Sequence, residues 1–251
     1  MTHRRRPLVV SHAACAGLAP ENTLAGVRIA LELGVDAIEV DVHATADGVP
    51  VLLHDDTVDR TTDGSGDVRA MTLDQVRRLD AGARQHEGRF RGEPVPTLAE
   101  VFHLTAGRAY LAMEIKQPGI EEQVVDVIRR ADAVPWAVFC SFYPQTIRRL
   151  RELEPRIPTF LLVESAAQEQ PASSPAGEPP QSVFLHYTLV TAEVVKDLHQ
   201  RGGQVFVWTV DEEAEMGRLV ALGVDGIGTN YPDRLLRVLA GVASDDPRPA
   251  P

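Results

Sequence analysis

Short runs of apolar, largely β-branched residues recur along the chain, separated by longer stretches in which apolar positions return every three or four residues. The first pattern suits strands buried on both faces and the second suits helices that cover them, the alternation expected when parallel strands are joined by crossover helices. Strands are predicted at Leu8 to His12, Ala37 to Val42, Tyr110 to Ile115, Ala137 to Ser141, Thr159 to Val163, Val183 to His186, Val205 to Val210 and Gly226 to Thr229, eight in all. Helices are predicted at Thr23 to Leu33, Leu98 to Leu104, Glu121 to Ala131, Gln145 to Leu153, Thr191 to Gln200, Glu212 to Leu222 and Asp233 to Leu239. The Thr23 hydroxyl can cap the first, and Gly34 and Gly223 can end theirs in the left-handed conformation. "LELGVDAIEV" at Leu31 to Val40 is echoed by "VALGVDGIGT" at Val220 to Thr229. Two copies are too few for a solenoid and suit the repeating unit of a closed α/β barrel, so the predicted fold class is a (β/α)8 barrel.

Two stretches depart from this repeat. Between His43 and Pro96 the chain is rich in Asp and Gly, and the apolar run Val51 to Leu53 follows the second strand too closely for a crossover helix. It is predicted to return antiparallel through a turn at Ala46 to Gly48, which makes residues 44–96 an insertion. The segment Ser165 to Gln181, rich in Pro, Ser, Ala and Glu, reads as a flexible surface loop. Residues 7–240 are thus expected to form one barrel, with 241–251 as a flexible tail.

Composition narrows the range of partners. The chain has 251 residues, 44% of them hydrophobic, enough for one sizeable core. A net charge of -11 disfavours nucleic acid and anionic membranes, and the basic run Arg4-Arg5-Arg6 reads as a solvated tail. No stretch approaches the ~18 consecutive apolar residues of a membrane span. No stable membrane insertion and a cytoplasmic location are therefore expected. Cys15 and Cys140 are too few for a disulfide framework and read as buried thiols.

Candidate chemistry collects at the strand ends. Glu39 and Asp41 stand two apart, so both carboxylates face one side, which in a barrel is its interior mouth. Glu114 ends the third barrel strand and supplies another carboxylate to that layer. Three oxygen ligands without cysteine suit a hard ion such as Mg²⁺ or Ca²⁺. Lys116, two beyond Glu114, extends an ammonium over the same layer, where a cation and a metal together make an anion site. His12 and His54 end runs leading to these carboxylates, and two imidazoles can exchange base and acid roles near neutral pH.

The order and spacing of these elements resemble the glycerophosphodiester phosphodiesterase family. Its members open with a strand ending His-Arg-Gly, then Pro-Glu-Asn-Thr, a glycine-ended helix, Glu-x-Asp, an Asp-Gly turn and a run ending His-Asp. Here these read His12, "PENT" at Pro20 to Thr23, "GVDAIEVDVHATADG" at Gly34 to Gly48 and "VLLHDDTVDRTTDGSG" at Val51 to Gly66. The match continues through "MEIK" at Met113 to Lys116, "SF" at Ser141-Phe142, "WTV" at Trp208 to Val210 and "GVDGIGTNYPD" at Gly223 to Asp233. The resemblance implies a TIM barrel with an insertion after its second strand, and metal-dependent hydrolysis of a small-molecule glycerophosphodiester to glycerol 3-phosphate and an alcohol. It implies His12 and His54 as the acid/base pair, Glu39, Asp41 and Glu114 as ligands of Mg²⁺ or Ca²⁺, and Lys116 on the phosphate. Phe142 and Trp208 would line the pocket for glycerol or the leaving group, or pack in the core. It leaves the oligomeric state open.

One element departs. The family's His-Arg-Gly is His12-Ala13-Ala14, so the arginine that the resemblance sets against the phosphate is an alanine. Three explanations fit: another cation, Arg60 or Arg84, serves in its place; the substrate is bulkier, as in a lysophospholipase D-like enzyme; or the protein is a weak or inactive binder of glycerol phosphate-type ligands.

Overall fold

A computed structural model describes residues 6–165 and 182–244. Eight parallel strands close into a barrel: β1 (Leu8–Ser11), β2 (Ala37–Ala44), β4 (Tyr110–Ile115), β5 (Ala137–Ser141), β6 (Thr159–Val163), β7 (Val183–His186), β8 (Val205–Trp208) and β9 (Gly226–Thr229). β1 completes the ring by pairing with β2 on one side and β9 on the other. The remaining strand, β3 (Pro50–Leu52), pairs antiparallel with the end of β2. The predicted hairpin is therefore present, and Gly48 has the positive φ of its turn.

The helices are α1 (Leu24–Leu33), α2 (Leu73–Val76), α3 (Leu98–Thr105), α4 (Glu121–Arg130), α5 (Pro144–Leu153), α6 (Ala192–Gln200), α7 (Glu213–Leu222) and α8 (Pro232–Ser244). Thr23 accepts the Gly26 N–H as the α1 cap, and Gly34 and Gly223 end α1 and α7 left-handed, as their positions predicted. Several boundaries differ from expectation. β1 stops at Ser11, so His12 opens a turn instead of ending a strand; β8 stops at Trp208; and α8 continues to Ser244, so the expected tail is helical at its start. Arg6 forks onto Asp36 at 2.7 and 2.9 Å while its side chain stays half exposed, and the rest of the basic run lies outside the described residues. The predicted surface loop after β6 falls almost wholly on residues 166–181, outside the described residues, as do 245–251. No helix among the described residues is long and apolar enough to cross a membrane.

The two faces of each strand have different neighbours. Outward residues such as Val9, Ile38, Val40, Leu111 and Met113 pack under the helices in the main core. Inward residues at the N-terminal half, among them Val10, Ala37, Ala112, Cys140, Phe160, Phe184 and Phe206, plug the barrel. Phe206 meets Phe160 and Phe184 edge-on at 4.9 and 5.8 Å between ring centroids. A Cβ on the facing Gly226 would lie 2.3 Å from the Phe206 ring, so only glycine leaves it room. Both cysteines are buried free thiols.

The insertion has its own small core of Val51, Leu53, Val58, Val68, Val76, Ala81 and Val95. Contacts tie it to residues 16–25, which run from the turn after β1 into the first turn of α1. Gln85 Oε1 accepts the Glu21 N–H at 2.9 Å, His86 Nε2 meets the Ala16 carbonyl at 3.1 Å, and Glu93 accepts the Ala25 N–H at 2.9 Å.

Candidate active site

Strand register builds the floor of the mouth. Glu39 and Asp41 alternate inward on β2, and Asp41 pairs in register with Glu114 on β4, so all three carboxylates reach one level. One oxygen from each lies within 4.8 Å of the others, and all three side chains are buried. Ala13 N–H donates to Glu39 Oε2 at 2.8 Å, Asn22 Nδ2 donates to Asp41 Oδ2 at 2.7 Å, and Asp41 N–H returns to Asn22 Oδ1 at 3.0 Å. Lys116 Nζ lies 2.8 Å from Glu114 Oε1 and 3.4 Å from Asp41 Oδ1.

This layer is electrostatically unfinished. Glu39 Oε1 and Asp41 Oδ1 are buried without a hydrogen-bond donor. Burial first, and then the charge of Asp41, push the Glu39 carboxyl well above its usual range and raise Glu114 to about 7. Burial works against the Lys116 charge, but Asp41 and Glu114 outweigh it and raise its pKa. Two oxygens without a hydrogen bond, in a set of three carboxylates that share only the Lys116 ammonium, fit a hard divalent cation of the Mg²⁺ or Ca²⁺ kind.

The histidines sit above this floor on separate supports. His12 leads into a left-handed turn in which Ala13, Ala14 and Cys15 have φ of 43, 53 and 76°. The turn packs tightly on α1, where a Cβ at Gly26 would lie 1.8 Å from the Ala14 carbonyl oxygen. His12 Nδ1 is 2.8 Å from Asn230 Oδ1, and Asn230 Nδ2 donates to Asp211 Oδ2 at 2.8 Å. Because the Asp211 carboxylate only accepts, the amide must turn its oxygen to His12. Nδ1 therefore carries the hydrogen, and Nε2 points inward, 3.9 Å from Glu39 Oε2. His54 Nδ1 is 2.7 Å from Asp55 Oδ1, which gives the same tautomer by a different route. Hydrogen bonds from Arg60, more than those from His54, hold the Asp55 carboxyl down at about 2.

His12 and His54 line one cavity of about 380 Å³ with Ala13, Ala16, Gly17, Glu21, Arg60, Asn230 and Tyr231. Both fall at the end of the barrel that holds the carboxylates, as the sequence suggested. Arg60 is at this mouth, whereas Arg84 donates to the Asp59 carbonyl within the insertion. Phe142 and Trp208 touch each other edge-on at 5.5 Å and pack against the inner barrel cluster, and they are not among the described residues lining the cavity.

Sequence reasoning did not assign roles to Asn22, Asn230, Asp211, Asp55 or His43. Asn22 and Asn230 lie inside motifs quoted for the resemblance. Buried His43, with its ring Nε2 3.4 Å from the His54 carbonyl oxygen, continues the period of two from Asp41, a signal that was available.

Comparison with known proteins identifies relatives along nearly the whole chain. The model of the "Glycerophosphoryl diester phosphodiesterase family" matches residues 12–234. A glycerophosphodiester phosphodiesterase of Caldanaerobacter subterraneus subsp. tengcongensis is 36% identical, covering 93% of this chain and 98% of its own. Among solved structures, a phosphodiesterase of Oleispira antarctica in complex with the product sn-glycerol-3-phosphate is 27% identical with a TM-score of 0.82, over 94% of this chain and 97% of its own. A glycerophosphodiester phosphodiesterase of Agrobacterium tumefaciens is 28% identical with a TM-score of 0.81, over 92% and 99%.

Proposed function

Because the chain belongs to the glycerophosphoryl diester phosphodiesterase family, we propose that it hydrolyses glycerophosphodiesters to glycerol 3-phosphate and an alcohol by acid/base catalysis between His12 and His54. The observation that carries this reading is the matched pair of imidazoles, each held through Nδ1 and each free at Nε2, at the mouth above three buried carboxylates.

In this reading a glycerol hydroxyl of the substrate attacks phosphorus. The Nε2 of one histidine takes its proton as the new O–P bond forms. The Nε2–H of the other histidine protonates the departing alkoxy oxygen, leaving a cyclic glycerol phosphate and an alcohol. Water then attacks the ring with the roles reversed, which restores both imidazoles. Asn230 and Asp55 keep the rings from turning during these transfers. Glu39, Asp41 and Glu114 would hold Mg²⁺ or Ca²⁺, which neutralises charge on the phosphate oxygens. Lys116 presents its ammonium to the same oxygens, while Phe142 and Trp208 pack on each other and on the inner barrel cluster beneath.

The test is release of glycerol 3-phosphate from glycerophosphocholine with Mg²⁺ or Ca²⁺, read through a coupled dehydrogenase. His12→Ala and His54→Ala are each expected to lower kcat by at least ~10²-fold, the lower end for losing a general acid or base. Full activity in either variant sinks the mechanism. A second reading rests on Ala13, whose small side chain lines the cavity: a bulkier lysophospholipid headgroup is admitted, or the ligand is bound without turnover. Product identification and calorimetry separate these, since a binder shows affinity for glycerol phosphate and releases no alcohol.

A further inference from the structure

Arg60 lines the same cavity as Ala13, and the obvious reading makes it a replacement donor to phosphate. Its hydrogen bonds argue otherwise. A guanidinium has five N–H bonds. Nε donates to Asp55 Oδ2 at 2.7 Å, Nη1 to Glu21 Oε2 at 2.8 Å, and Nη2 to Glu21 Oε1 at 2.6 Å and Asp55 Oδ1 at 2.9 Å. Four of the five are committed, and two carboxylates already exceed the single positive charge. What Arg60 does hold is Asp55, whose Oδ1 is also 2.7 Å from His54 Nδ1.

We propose that Arg60 is a positioning residue for His54. It clamps Asp55 from one side and Glu21 from the other, so that Asp55 fixes the Nδ1–H tautomer of His54 and turns Nε2 into the cavity. The inference rests on the acid/base reading of His54 given above. Its anchor is firm. Glu21 lies 39 residues earlier, its carboxylate is mostly buried, and its backbone N–H is tied to Gln85. Without Arg60, Asp55 keeps the His54 hydrogen bond but loses the two that hold its own rotamer. A lysine cannot substitute, because a single ammonium does not match two carboxylates in a planar fork.

Arg60→Gln is expected to lower kcat about 10- to 100-fold while KM stays within about twofold, since general acid/base catalysis contributes ~10²- to 10⁴-fold and misorientation forfeits part of it. Nitrogen-15 NMR of the imidazoles is expected to show His54 fixed with hydrogen on Nδ1 in the wild type and a tautomer mixture in the variant. Arg60→Gln combined with Asp55→Asn is expected to fall no further than Asp55→Asn alone, because the arginine acts only through that carboxylate. Guanidinium ion added to Arg60→Gly is expected to restore activity, and ammonium is not. A large rise in KM with kcat unchanged, an unaltered His54 tautomer in Arg60→Gln, or additive losses in the double variant each overturn the proposal. Should Arg60→Gln fail to fold, Glu21→Gln loosens the same guanidinium from its far side and is read by the same NMR signal. If the wild-type protein turns over no diester, the functional reading falls, whereas the His54 tautomer still decides the role of Arg60.

Discussion

The floor and the rim of the mouth are built from the same kinds of residue with opposite electrostatics. On the floor, Glu39, Asp41 and Glu114 are buried, two of their oxygens lack donors, and Glu114 is pushed up to about 7. At the rim, Asp55 and Glu21 share Arg60, every guanidinium contact is short, and Asp55 is pulled down to about 2. The contrast separates three buried acids that share a single ammonium, Lys116, from two acids matched by a guanidinium fork. An acid group alone does not mark a metal site. Burial without a partner does, because a desolvated carboxylate must either take a proton or find a positive charge.

The largest expected effect breaks this contrast at the floor. Glu114 has a folded-state pKa above its ordinary 4.5. Without an ion, the folded protein binds protons more readily than the unfolded chain, so stability falls as pH rises from about 4.5 through 7. Mg²⁺ or Ca²⁺ at ~100 times its Kd should return about 2.7 kcal/mol, and at ~2–4 °C per kcal/mol raise Tm by roughly 5–10 °C at pH 8. The rise should be much smaller at pH 5. Melting curves with chelator and with either ion check this, and equal shifts at both pH values contradict it.

A middle-sized effect tests what lies between floor and rim. Ala13→Arg adds a guanidinium to the cavity that Ala13 lines and keeps the Ala13 N–H that Glu39 uses. It is expected to raise kcat/KM for a glycerophosphodiester by about tenfold or more, given that one transition-state donor is worth ~10²- to 10³-fold elsewhere. Steady-state kinetics on purified protein decide it, and no gain points to a substrate whose phosphate is engaged differently. The smallest effect concerns the backbone that carries His12. Ala14 has φ of 53°, a region glycine enters without penalty, so Ala14→Gly should stabilise the fold by about 1 kcal/mol. A Tm rise of ~2–4 °C is the readout.

The floor was legible in the sequence and the supports of the histidines were not. Glu39, Asp41, Glu114 and Lys116 follow from strand periodicity, because a spacing of two fixes the face and the register of β2 with β4 fixes the level. Asn230 reaches His12 across 218 positions and Arg60 reaches Glu21 across 39, pairings that exist only once the barrel has closed. The left-handed turn at Ala13 to Cys15 was equally hidden, since alanine normally avoids positive φ and gives no local signal of it. The strand assigned one residue too far, to His12, is the visible result.

The ties from Gln85, His86, Glu93 and Arg60 to residues 16–25 have a consequence for engineering and for descent. The excursion after the second strand is not a free-standing cassette. A chimera that imports it into a related barrel without the recipient's matching stretch before α1 would arrive with severed stitches, so the two pieces should be exchanged, and should have diverged, as a pair.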